Sequence, residues 1–159
     1  MVLHTLPKLN PLMDDATFLK RFEACQFSPD QWHHREHIRA AYLYLRRYPF
    51  KRALQRIRQG IQALNASQHV PESRTRGYHE TMTQAWLSLV FLILREYGPE
   101  KTAEKFYQEH PELGQKRALR FFYSQKQLMS ARAKAVFVKP DLAPLPKPRA
   151  RRARAASAE

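Results

Sequence analysis

Four of the chain's seven histidines fall in two short clusters, Trp32-His33-His34-Arg35-Glu36-His37 and Gly77-Tyr78-His79-Glu80-Thr81. Imidazole changes charge near neutral pH, and its neutral ring offers one donor and one acceptor nitrogen. Rings aimed into an apolar interior must be hydrogen-bonded to one another or hold something, and a metal ion is the commonest occupant. Helical spacing decides which rings point inward. At 100° per residue, Ile38, Ala41 and Leu45 define an inward face, and one turn back places His34 in its middle. His37 lies ~60° to one side and still faces inward, His33 sits ~100° away at the boundary, and Glu36 points outward. In the second cluster, Met82, Trp86, Val90 and Ile93 make the inward stripe. His79 falls at its N-terminal end, with Thr83 one turn below and Glu80 a quarter-turn aside.

His34, His37, His79 and Glu80 would then form a three-histidine, one-carboxylate set suited to Zn, Fe, Mn or Ni, of the kind helix bundles build from facing helices. Glu80 would be the fourth ligand or the general base toward a metal-bound water, with Thr81, Thr83 or Tyr78 orienting the imidazoles. The block at Glu80 and Thr81 is the expected catalytic pair. Two other readings stand beside this one. The same groups can bind a polar or anionic small molecule directly at helix N-termini, or merely cross-link helices. The remaining histidines, His4, His69 and His110, stand in terminal or loop contexts and are expected at the surface. Cys25 reads as core filler, and with no second cysteine there is no intramolecular disulfide, which fits a reducing, cytoplasmic setting. No glycine-rich phosphate loop is present. Phe106, Tyr107, Phe121, Phe122 and Tyr123 interleave with basic residues, a pattern that stacks bases in some proteins but at helical spacing reads as core.

The elements that must position these groups are all helical. A first helix is expected over about 15–25 and a second from the Ser28-Pro29-Asp30-Gln31 start signal to Arg47 or Tyr48. A third runs over about 50–66, a fourth over about 78–97 ending at Gly98-Pro99, and a fifth over about 99–109. Past His110-Pro111 the pattern breaks into shorter pieces, with a last helix from the Ser124-Gln125-Lys126-Gln127 cap toward Ala135. The fold expected is an all-α single helical bundle of five to seven helices, residues 1–146, followed by a disordered basic tail, 147–159. The fourth helix, apolar nearly all round in its second half, should be central. For the histidine clusters to meet, the second and fourth helices must run parallel. Asp141 to Pro146 should strap across the surface, anchored by Leu142 and Leu145.

A formal charge of +14 admits a phosphate backbone or another acidic partner. The tail contributes +4 of it, and a further basic stripe (Lys51, Arg52, Arg56, Arg58) lies on the third helix. The longest apolar run, 85–94, is about half of the ~20 residues a membrane span requires, and Met1 to Met13 has no apolar stretch of the secretory kind.

Three of these segments resemble the motifs of a family of small uncharacterised bacterial proteins. The family pattern has an aromatic followed by x-H-x-x-H and an aliphatic residue, here Trp32 through Ile38. A Y-H-E-T-x-T block follows, here Tyr78 to Thr83, and a closing P-D-L-x-P-L-P, here Pro140 to Pro146. The resemblance implies that His34, His37, His79, Glu80 and Thr81 are motif residues and that His33 and the basic tail are not; it implies no activity. The expectation is a small cytoplasmic protein with a buried His/Glu site, binding a divalent metal and acting as a metal-dependent enzyme on a small molecule. The alternative is a basic helical module that docks nucleic acid or an acidic partner, with structural histidines.

Overall fold

In the computed structural model, which describes residues 13–148, the first helix opens on a side-chain cap: the Asp14 carboxylate accepts the Thr17 backbone N–H at 2.9 Å. This helix, α1 (Asp15–Glu23), buries Phe18, Leu19 and Phe22. A 3-10 turn (Pro29–Gln31) leads to α2 (His34–Arg47), then α3 (Phe50–Ser67) and α4 (Glu80–Tyr97). After α5 (Ala103–Glu109) come 3-10 turns at Pro111–Gly114 and Lys116–Phe121, and the short helices α6 (Gln125–Leu128) and α7 (Ala131–Ala135). No strand occurs among the described residues. These ten helical segments exceed the five to seven expected, because the chain after His110 divides into pieces of four to six residues. Residues 1–12 and 149–159 lie outside the described residues, and with them His4 and nearly all of the tail.

Two departures from the expected helices have visible causes. The second helix does not run unbroken from Ser28: Trp32 and His33 are extended, and α2 starts at His34. Trp32 lays its ring parallel on Phe22 at 4.7 Å and against Phe27 at 5.4 Å, an aromatic contact that local capping signals do not encode. The last helix splits because Ser130 makes its own cap, accepting the Ala133 N–H at 3.1 Å.

α4 packs against α2, α3, α7 and the Lys116–Phe121 turn, so it is the central helix. Helix directions follow from two pairs of contacts. The Tyr42 hydroxyl, near the end of α2, donates to the Glu100 carbonyl at 2.7 Å, just past the end of α4. At the start of α2, the His34 ring meets Trp86, two turns into α4. α2 and α4 therefore run side by side in the same direction. α3 runs opposite to both, with Phe50 against Phe91 at one end and Arg58 beside Glu80 toward the other.

Ile38, Ile57, Ile61, Leu64, Leu87, Val90 and Phe106 fill the principal core. A second, smaller core on another face of α4 joins Ala85, Leu119, Tyr123, Leu128, Ala133 and Val138. The closing segment is tied to it by the Tyr123 hydroxyl donating to the Val138 carbonyl at 2.8 Å, and by Asp141 accepting the Ser124 N–H at 2.8 Å. Leu145 packs on this core, but Leu142 is 58% exposed and is held by its backbone N–H to Phe122, so it is not the side-chain anchor expected. Two further expectations change. His110 is buried between Phe106 and Tyr97, and Phe121 is exposed although its neighbour Tyr123 is core. No described helix is long and apolar enough to cross a membrane.

Candidate functional site

A cavity of about 590 Å³ opens between α2, α3, α4 and the turn at Lys116. His33, His34, His37 and His79 all border it, so the two distant clusters do meet. Their nitrogens are employed very differently.

His37 is saturated. Its Nδ1–H donates to the His33 carbonyl at 2.9 Å, and its Nε2 accepts the Trp32 indole N–H at 3.1 Å. Burial pushes its pKa down to about 4, so the ring is neutral at pH 7. His79 is saturated too: Nδ1 caps α4 by accepting the Met82 N–H at 3.1 Å, and Nε2–H donates to the Leu128 carbonyl at 2.9 Å. Burial holds it below the usual imidazole range, against the Leu128 bond that favours the charged form. A neutral histidine with both nitrogens bonded in this way has no lone pair left.

His34 differs. Its Nε2–H donates to the Leu113 carbonyl at 2.7 Å, and the ring stands edge-on to Trp86 with centroids 4.5 Å apart. A carbonyl can only accept, so the proton sits on Nε2 and the lone pair on Nδ1. Nδ1 makes no hydrogen bond among the described residues, and no buried side-chain nitrogen or oxygen there lacks a partner, so Nδ1 is an accessible acceptor on a ring that lines the cavity. Burial lowers this pKa also, with the nearby Lys116 ammonium adding to the effect. His34 thus offers a neutral, oriented acceptor.

The expected metal set does not fit this arrangement. His37 and His79 have spent their lone pairs, and Glu80 turns away from the histidines into a neighbouring groove of about 1300 Å³. Among the described residues, no three His, Cys, Asp or Glu side chains are placed to hold an ion. Glu80 is gripped in a fork by Arg58, through Nε at 2.9 Å and through Nη2, and accepts the Tyr78 hydroxyl at 2.7 Å. The Arg58 bonds hold its carboxyl below the usual carboxylate range, so it stays ionised with its oxygens occupied, the opposite of a waiting base. Thr81, expected beside the chemistry, is fully buried elsewhere. Its hydroxyl donates to the Val136 carbonyl at 2.9 Å and accepts the Val138 N–H at 3.1 Å, pinning the closing segment to α4.

The loop between α3 and α4 forms the wall between cavity and groove. Asn65, Val70 and Tyr78 border both. Gly77 adopts a φ of +93°, and a Cβ there would strike the Glu72 carboxylate. That carboxylate accepts the Tyr78 N–H at 3.0 Å and pairs at 2.7 Å with Lys134, which also donates to the Tyr78 carbonyl.

Three cavity residues escaped sequence reasoning. Asn65 presents an amide with no side-chain hydrogen bond among the described residues, and Lys116 is the one lysine or arginine among the described lining side chains. Trp32 adds a second indole; it read only as the aromatic of a motif. Lys116 had no signal, lying in a stretch without helical periodicity. The basic stripe of α3 is partly engaged within the molecule: Arg52 and Arg56 lie over the Tyr48 ring at 5.2 and 5.6 Å, and Arg58 holds Glu80. Lys51 is exposed.

No protein-family model, curated protein or solved structure matches the chain.

Proposed function

We propose that this protein binds a small organic molecule in the cavity between α2, α3 and α4. The observation that carries the reading is the combination of a ligand-sized space with an unspent, oriented acceptor, His34 Nδ1, and a second unbonded polar group, the Asn65 amide, on its lining. A volume of about 590 Å³ falls in the range of small-molecule pockets, which are typically apolar with a few convergent polar groups. Ile57, Ile61 and Leu87 supply the apolar floor and Trp86 an aromatic wall. The loop wall is braced by Glu72 and Lys134, so the space is built rather than left over.

The chain contains two tryptophans, and both border the cavity. Their indole N–H resonances in a ¹⁵N-labelled sample therefore report on it directly. Mixtures of chemically diverse fragments are screened on the full chain and on Thr83→Phe, which fills the space. Fragments that move both resonances in the native chain and neither in the variant support the reading; a broad screen that moves neither sinks it.

A further inference from the structure

The charge and hydrogen-bonding inventory of the cavity names a class of ligand, an inference that rests on reading the cavity as a small-molecule site. Its described lining contains no aspartate or glutamate, and His34, His37 and His79 are neutral. A cationic ligand would find no countercharge there. One ammonium, Lys116, stands at the rim, exposed and close enough to His34 and His37 to depress both. With a single lysine and no guanidinium among the described residues of its wall, the site suits one carboxylate better than a phosphate, which takes several donors. His34 Nδ1 is an acceptor whose tautomer is set by Leu113, so its partner must bring an N–H or O–H. Trp86 supplies an aromatic surface beside that acceptor, with His34 edge-on to it.

We propose that the cavity selects a planar aromatic carboxylic acid that also bears an N–H or O–H donor. The ring lies along Trp86, the donor meets His34 Nδ1, and the carboxylate faces Lys116. Asn65, whose amide can donate or accept, lies on the same lining.

The test is calorimetric titration of the full chain with three probes: indole-3-acetate, its N-methyl derivative, which lacks the donor, and indole-3-acetamide, which lacks the charge. Indole-3-acetate is expected to bind best, and N-methylation to weaken it about tenfold or more, because a site built around a donor rejects the analogue without it. The acetamide is expected to bind about fivefold more weakly, and in Lys116→Met acid and amide are expected to converge. Lys116 is exposed, so this variant keeps its fold. Three probes binding within about twofold of one another, or an acid affinity unchanged in Lys116→Met, overturns the proposal. If the fragment screen finds cavity ligands but none of the three probes binds, this ligand class is wrong while the small-molecule reading stands. If the screen is empty as well, both fall.

Discussion

The two sides of the Tyr78 wall are built from similar residues and behave in opposite ways. On the groove side every carboxylate has its cation: Glu80 with Arg58, Glu72 with Lys134. On the cavity side His34, His37 and His79 are neutral, no carboxylate of the described residues lines the space, and His34 Nδ1, the Asn65 amide and the Lys116 ammonium lack a partner among the described residues. A closed network rigidifies; one left partly open recognises. The difference teaches that a cluster of chemistry-bearing residues is informative only after its internal hydrogen bonds have been counted.

The sharpest way to break this contrast is to open the closed side. Arg58→Met leaves the buried Glu80 carboxylate without its countercharge and is expected to cost about 3 kcal/mol in urea unfolding. A loss below about 1 kcal/mol would show that the pair is solvated rather than structural.

Acid probes the cavity side. The folded His37 value of about 4 lies below the ordinary 6.5, so the unfolded chain takes the proton first. Its contribution is fully present above pH 6.5 and is lost as pH falls from there toward 4, by at most about 3 kcal/mol. His34 and His79 shift in the same direction. Unfolding midpoints measured across this window should fall steeply for the native chain and less so for His37→Gln, which keeps a donor and an acceptor without titrating. Equal slopes would remove His37 from the account.

Thr81→Val, equal in shape but without the hydroxyl, strands the Val136 carbonyl and the Val138 N–H and is expected to cost about 2 kcal/mol. An unchanged urea midpoint would show that these two hydrogen bonds do not hold the closing segment. Lys116→Met, on the open side, is expected to change stability by less than about 0.5 kcal/mol. A larger loss would mean that Lys116 belongs to the closed network after all.

Much of the fold was legible because helix signals are local. The third and fourth helices, the Gly98 stop and the inward stripes of α2 and α4 follow from apolar spacing and punctuation over a few residues. Trp32 shows where that logic fails: its capping context says helix, and its ring, seated on Phe22, says extended chain. His110 fails similarly, since the residues that bury it, Phe106 and Tyr97, lie on two different helices.

The chain alone determined that two histidine clusters would stand at the starts of two inward-facing helices, because side-chain direction on a helix is a matter of arithmetic. It could not determine what each nitrogen does. The partners that fix the proton on each ring, and so decide which nitrogen keeps its lone pair, are backbone carbonyls at His33, Leu113 and Leu128, which any sequence could supply. Backbone oxygens carry no residue identity, so only the tertiary structure decided that His37 and His79 became satisfied while His34 kept an acceptor to spare.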